Sequence, residues 1–428
     1  MLDYSIKKLD NGLRVITAPL KNTKAVSLFI LVGTGSRFEN KENNGIAHFL
    51  EHMFFKGTDK RPNTVDIARE LDSVGAGFNA FTGEEYTGFY IRAESSHFDM
   101  ALDVLSDMLL HSKFDETEIT KEKGVILEEI NMIKDVPQAQ IEYVMKDLLY
   151  GDTPLGRMIT GVPGTVTKFD RNTFVEFKNK FYHPENIVVV AAGSNGEAWN
   201  EKIEKVFGAL PKMGTVVEEK VTEAQTEPKI KIEEKKTDQA HFMLGFRAIK
   251  RTDSRRPILK VLNNLMGGTM SSRLFIEVRE KRGLCYYVSS DMADYIDTGF
   301  WYVGAGVDIK RIEEAIEVIL KEFERLKTED ITDEELTRAK ENMKGHLYLG
   351  LEESMSVAHF LAEQEMFWNK IDDPDQVVAQ TQKVTKEDVK NLANEFMKPE
   401  NLNLAIIGPF ENSPVGEEKF MSLLKKFK

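Results

Sequence analysis

Two histidines and a glutamate within five residues, in the run His48-Phe49-Leu50-Glu51-His52, are the side chains of this chain best spaced for chemistry. Residues four apart on an α-helix share a face, so both imidazoles can reach one ion. Glu51 stands three residues after His48 and one before His52, close enough to hold a water on that ion. The order is His-x-x-Glu-His, the reverse of the better-known His-Glu-x-x-His of zinc hydrolases. The chain has 8 histidines and no other pair at this spacing. His97, His111, His183, His241, His346 and His359 lack ligand spacing and are read as structural. The bland alternative is two ordinary histidines on an amphipathic helix.

A catalytic zinc usually takes three protein ligands and a water. The segment Asp115–Lys134 supplies candidates for the third. Its apolar residues Ile119, Val125, Ile126, Ile130 and Ile133 have helical spacing, and it carries Glu122, Glu128 and Glu129. Glu122 and Glu129 are seven apart, two turns along one face, whereas Glu128 points about 100° away from Glu129. A carboxylate on a partly buried face needs a partner, and a metal would serve. A solvated helix face is the competing reading for each of the three, and for Glu128 it is the favoured one.

With these residues in view, the chain resembles the pitrilysin–insulinase family of zinc peptidases. The likeness is to the short branch with the mitochondrial processing peptidase and its bacterial relatives. That family carries His-x-x-Glu-His (the inverzincin order) and then a ligand glutamate some 75 residues on, a context matched by Gly124-Val125-Ile126-Leu127-Glu128-Glu129. The resemblance implies that Glu129 completes a set of His48, His52 and Glu129 for one Zn2+ per chain, and that Glu122 helps to orient it. Gly77-Phe78-Asn79-Ala80-Phe81-Thr82 resembles the family's strand beside the metal, whose edge takes an extended substrate; Asn79, Ala80 and Thr82 would hold the substrate backbone. Asp152-Thr153-Pro154-Leu155-Gly156-Arg157 is similar to the family's loop after the ligand helix. Farther on, Val278-Arg279-Glu280 and Gly283-Leu284-Cys285-Tyr286-Tyr287 resemble the family's arginine–tyrosine pair, which implies that Arg279 and Tyr286 contact substrate. Without the resemblance, Arg279 would read as a helix cap or ion-pair partner and Tyr286 as a core aromatic opening a strand.

Composition bounds the remaining readings. A chain of 428 residues is long for one core and suggests two or more domains. A hydrophobic fraction of 41% with 30% charged residues describes a globular protein, and a net charge of −13 argues against nucleic acid as a partner. The 1 cysteine, Cys285, forms no intrachain disulfide and fits a reducing compartment. It is read as a small apolar residue. No segment reads as a presequence or a spanning helix, so the expectation is a cytoplasmic protein with no membrane partner.

The elements that would position these residues look duplicated. The first half predicts strands at 13–19 and 25–32, the His48 helix and a helix at 65–74. Strands at 77–82 and 86–92 and a helix at 98–110 follow. The second half repeats the pattern with a strand at 242–248, helices at 258–265 and 274–280, strands at 287–292 and 299–307, and a helix at 312–326. Asp115-Glu116-Thr117-Glu118-Ile119-Thr120-Lys121 also resembles Thr332-Asp333-Glu334-Glu335-Leu336-Thr337-Arg338, a register that sets His346 opposite Glu129. No second His-x-x-Glu-His occurs, so one copy keeps the metal and the other takes up substrate binding. The Glu- and Thr-rich stretch 214–228 reads as a linker between an N-terminal zinc-binding domain, 1–213, and a C-terminal domain of the same fold, 229–428. Each half is expected to be α+β, a mainly antiparallel sheet with helices on one face.

The function these residues and the resemblance together imply is a zinc-dependent endopeptidase with Glu51 as general base, and the resemblance implies that it acts on short or unfolded polypeptides. The resemblance further implies a closed chamber built from two chains, and a homodimer is expected because this chain keeps both the zinc motif and the arginine–tyrosine pair. An inactive peptide-binding subunit is disfavoured by the intact ligands. A zinc hydrolase of a non-peptide substrate would differ only in what it cleaves.

Overall fold

The computed structural model describes residues 2–194, 196, 198–214 and 218–428, which fall into two compact units. The first unit is built on β1 (Ser5–Lys8), β2 (Arg14–Pro19), β3 (Ala25–Val32), β4 (Gly77–Thr82), β5 (Thr87–Glu94) and β6 (Ile187–Gly193), ordered β1-β2-β6-β3-β5-β4. The second is built on β7 (Lys229–Glu234), β8 (Gln239–Arg247), β9 (Cys285–Asp294), β10 (Gly299–Asp308) and β11 (Leu402–Gly408), ordered β7-β11-β8-β10-β9. Leaving β1 aside, the two orders are the same permutation. In each sheet the first and last strands pair in parallel, β2 with β6 and β7 with β11, and the other pairs are antiparallel. β4 and β9 are equivalent edge strands. A mixed α+β architecture with two helix-packed sheets is therefore what the duplicated sequence pattern produces.

The helices that frame the first sheet are α1 (Ile46–Phe54), α2 (Thr64–Asp72), α3 (Phe98–His111) and α4 (Glu116–Asp135); α5 (Pro137–Tyr150) follows in sequence. One face of the sheet, with Val26, Leu28, Ile30 and Val32 of β3, buries Phe49, Leu50 and Met53 of α1 and Ile119, Ile126 and Ile130 of α4 in a single core. Helices on one face of each sheet were expected, yet both faces are covered. The second face of the first sheet (Ile16, Phe29, Leu31, Val188, Val190) packs against Val357, Ala358, Leu361 and Ala362 of the helix Ser354–Trp368, contributed by the far half of the sequence. In return, Ile141, Val144, Met145 and Leu149 of α5 pack on Met243, Phe300, Ala405 and Ile407 of the second sheet. A strand with both faces apolar, such as β6 (IVVVAAG, buried throughout), requires such a second cover.

The units therefore each draw on both halves: residues Met1–Asn131, Arg157–Glu219 and Leu347–Pro374 form the first, and Met132–Gly156, Lys220–His346 and Asp375–Lys428 the second. Within the expected linker, 215–217 lie outside the described residues, and the remainder is anchored rather than free. The Val221 amide donates to Asp297 Oδ2 at 3.0 Å, and Gln225 Nε2 donates to the Glu400 carbonyl at 2.9 Å.

Candidate metal centre

α1 (IAHFLEHMF) is buried on nearly every side, so its three polar side chains have to be accounted for. Ile46, Phe49, Leu50, Met53 and Phe54 are fully enclosed by the core. His48, Glu51 and His52 lie at i, i+3 and i+4 on the remaining face. The helix starts at Gly45, whose φ of 98° is a left-handed conformation. A Cβ there would come within 2.7 Å of the Gly161 Cα, so only glycine lets the 160–161 loop cross the helix start. The orphan amides at that start are met by the side chain of Glu39. Its Oε2 accepts from the Gly45 amide at 2.8 Å and Asn44 Nδ2 at 3.0 Å, and its Oε1 accepts from the Ala47 amide at 2.8 Å. Burial pushes the Glu39 carboxyl up to about 8 against those three donors.

α4 brings carboxylates to the same place. Ile119, Glu122, Ile126 and Ile130 form its buried stripe, and Glu129 lies two turns beyond Glu122. Glu128 is exposed, whereas Glu129 meets the histidines. Glu129 Oε1 is 3.5 Å from His48 Nε2, and Glu129 Oε2 is 3.7 Å from His52 Nε2. The imidazole centroids are 4.6 Å apart with ring planes at 60°. One donor atom from each of His48, His52 and Glu129 falls within 4.8 Å of the others. A tetrahedral zinc with bonds near 2.05 Å has ligand–ligand edges of about 3.3 Å, so the two His–Glu separations are close to those of a zinc site. Two imidazole nitrogens and one carboxylate are a donor set that zinc accepts with a position left for water.

The surroundings set the orientation of the two histidines. His52 Nδ1 lies 2.8 Å from Glu122 Oε1, and Lys56 Nζ lies 2.6 Å from Glu122 Oε2. Burial alone would raise the Glu122 carboxyl, but the His52 hydrogen bond and the Lys56 ammonium outweigh it and hold the group below the usual carboxylate range. An ionised Glu122 can only accept, so His52 carries its proton on Nδ1 and turns the Nε2 lone pair toward Glu129. His48 Nδ1 is buried without a hydrogen-bond partner among the described residues. The His48 imidazole holds the Glu129 carboxyl below its ordinary range.

Glu51 is buried on the same face and accepts a hydrogen bond at 2.6 Å from Thr82 Oγ1, at the end of edge strand β4. Asn79 and Ala80 lie on that strand, and Asn79 Oδ1 accepts from the Ala80 amide at 2.9 Å. In the second unit, Arg279 sits in a π-helical turn, Phe275–Glu280, where an α-helix was expected. The wide turn is closed by the Lys281 amide donating to the Ile276 carbonyl at 2.9 Å. The Arg279 guanidinium lies over the Phe275 ring at 4.9 Å and the Tyr286 ring at 5.5 Å. Tyr286 is 77% exposed, so it is not a core aromatic. Cys285 is half-buried and burial pushes its thiol up to about 11, which fits an unreactive residue.

Glu39 and Lys56 escaped the sequence reading. Lys56 is one helical turn beyond His52, a spacing that could have found it; Glu39 lies in a loop with no periodic signal. The structure brings His48, Glu51, His52, Glu122, Glu129 and Thr82 into one cluster in the first unit. Arg279 and Tyr286 meet each other in the second.

Comparison with known proteins identifies the family. Residues 14–162 match the family model described as "Insulinase (Peptidase family M16)", and residues 168–343 match "Peptidase M16 inactive domain". A Bacillus subtilis protein described as an uncharacterized zinc protease is 37% identical over 94% of this chain and 98% of its own length. Proteins of the same description from Streptomyces coelicolor and Rickettsia felis are 34% and 33% identical, over 94% and 95% of this chain and 89% and 98% of their own lengths. Among solved structures, a protease from Helicobacter pylori has a TM-score of 0.89 at 23% identity, covering 96% of this chain and all (100%) of that one. A peptidase M16 inactive domain from Pseudomonas fluorescens has a TM-score of 0.88 at 21% identity, with 96% and 100% covered. At those identities the two structures speak for the fold. With both family models placed in order along it and relatives above 30% identity over nearly its whole length, the chain belongs to the insulinase family of metallopeptidases, peptidase family M16.

Proposed function

We propose that this protein is a zinc-dependent endopeptidase that cleaves short or unfolded polypeptides with Glu51 as the general base. The observation that carries the reading is the convergence of His48, His52 and Glu129 donor atoms within 4.8 Å, with Glu51 on the same face of α1. A zinc ion bound there supplies Lewis-acid polarisation of the scissile carbonyl and acidifies a water. Glu51 would accept a proton from the attacking water as the water oxygen bonds to the carbonyl carbon, then return it to the amide nitrogen as the C–N bond breaks. His52 is held in register for this by Glu122, and the exposed edge of β4 offers main-chain groups to an extended peptide.

Arg279 and Tyr286 belong to the proposal as peptide contacts. Tyr286→Ala removes an exposed side chain, so stability should change by less than about 0.5 kcal/mol while kcat/KM falls. A homodimer, a closed chamber that excludes folded proteins and a cytoplasmic location complete the reading. Light scattering should return twice the chain mass, and a folded protein should resist cleavage under conditions that digest its unfolded form. No helix among the described residues is long and apolar enough to cross a membrane. The test of the centre itself is elemental analysis of purified protein. One zinc per chain is expected, lost in His48→Ala and in Glu129→Ala with the fold retained by circular dichroism. Full zinc retention in both variants would reject the ligand set.

A further inference from the structure

We infer that Thr82 is a positioning residue for the general base, and that its hydroxyl is committed to Glu51 rather than to the substrate. The inference rests on the proposed role of Glu51. Strand alternation puts Phe78, Ala80 and Thr82 on one face of β4, and Phe78 on that face stacks on Phe55, just past the end of α1, with ring centroids 6.3 Å apart. Thr82, opposite Thr87 in the β4–β5 register, ends the strand beside the helix and donates its single O–H to Glu51 Oε2 at 2.6 Å. A short O–H···O contact to a carboxylate is the stronger, charge-assisted kind. Among the described residues Glu51 has no other hydrogen-bond donor or ion-pair partner. A glutamate has three rotatable bonds, whereas a β-branched threonine on a paired strand is stiff at χ1. The hydroxyl therefore fixes one carboxylate oxygen and leaves the other for the attacking water.

The geometry also joins substrate binding to base alignment. β4 is the edge of its sheet, and the residue that aims the base is carried by that same strand. A peptide that adds to this edge would pair with the strand that carries Thr82. Thr82 thus acts on turnover through Glu51, with no need for its side chain to touch the peptide.

The experiment compares wild type, Thr82→Val, Thr82→Ser, Glu51→Gln and Glu51→Gln/Thr82→Val, all zinc-loaded, on one quenched unfolded peptide. Zinc affinity is read by chelator competition, and peptide affinity is read by fluorescence anisotropy in the two Glu51→Gln backgrounds. Loss of a hydrogen bond to a charged group predicts a fall in kcat of roughly 10- to 100-fold in Thr82→Val, with KM and zinc affinity unchanged. Thr82→Ser, which keeps the hydroxyl, should recover most of the rate. The double variant should turn over no more slowly than Glu51→Gln and bind the peptide equally well. A raised KM with kcat preserved would overturn the inference in favour of a direct substrate contact. A Thr82→Val penalty that persists in full without the Glu51 carboxylate would also overturn it, as would a serine variant as impaired as the valine. Full activity in Glu51→Gln alone would instead remove the base assignment beneath it, a result read without any Thr82 variant.

Discussion

Glu122 hydrogen-bonds His52 through one carboxylate oxygen, at 2.8 Å, and uses the other to hold Lys56 at 2.6 Å. The residue that orients His52 is thereby itself fixed by a cation two residues past the end of α1. Outer-shell partners of this kind set the tautomer and ring plane of a ligating histidine, and their loss typically costs 10–100-fold in metal affinity. We expect Glu122→Gln to weaken zinc binding by roughly 10- to 100-fold and Lys56→Met by about 10-fold, measured by competition with a chelator of known affinity. Unchanged affinity in Glu122→Gln would mean that His52 needs no charged partner on Nδ1.

The exchanged helix Ser354–Trp368 makes a different prediction. Leu361 is wholly buried against the second face of the first sheet, far in sequence from every strand it covers. Leu361→Ala should destabilise the first unit by about 2–5 kcal/mol. A denaturation midpoint lowered with the m-value preserved would show this, whereas a shift below about 0.5 kcal/mol would mean the helix is not an integral cover. The same packing predicts that residues 1–219 produced alone are poorly soluble, since they would present Ile16, Phe29, Leu31, Val188 and Val190 to water.

Acid lability should be traceable to Glu335, which opens the helix equivalent to α4 in the second unit. Burial raises its carboxyl, but the Arg273 guanidinium at 2.7 Å and the Thr332 amide at 2.9 Å outweigh burial and bring it down to about 2. A folded-state value below the unfolded one means that the contribution is complete above about pH 4.5 and is lost as pH falls toward 2. Allowing for the partial solvent exposure of the pair, that contribution is about 1 kcal/mol. Glu335→Gln should therefore lower stability at pH 7 and flatten the acid limb of the stability curve between pH 4.5 and 2. An acid limb parallel to that of wild type would contradict this.

What could be read in the sequence follows from the range of each interaction. Helical spacing alone places His48, Glu51 and His52 on one face and sets Glu122 and Glu129 two turns apart, because those relations are local. Local pattern also located β4, β5, β9 and β10 to within two residues, and the repeated order of motifs anticipated two related sheets. The choice of Glu129 over Glu128 came from family context, since adjacent carboxylates on one helix are distinguished only by what faces them.

The long-range pairings were not legible. Nothing in the sequence of α5 or of Ser354–Trp368 says which sheet each will cover, so helices were expected on one face where two are covered. β6 pairs in parallel with β2 across more than 170 intervening positions, a contact fixed by the packed fold rather than by any turn signal. Strand alternation could place Thr82 on the side of α1, yet it could not show that the hydroxyl meets Glu51, a side-chain contact separate from the main-chain hold on substrate expected of this strand. Glu39 reaches the start of α1 from an irregular loop, where no periodicity guides a reading.

The proposed activity stands on Glu51 working as a base beside a zinc held by His48, His52 and Glu129. The most direct test measures cleavage of a quenched unfolded peptide and zinc content on the same preparations of wild type and Glu51→Gln. Wild type should cleave and both proteins should hold equal zinc, with the variant slower by roughly 10²- to 10⁴-fold, the usual worth of a positioned proton acceptor. Undiminished cleavage by Glu51→Gln, or a zinc-loaded wild type that cleaves no unfolded peptide, would contradict it.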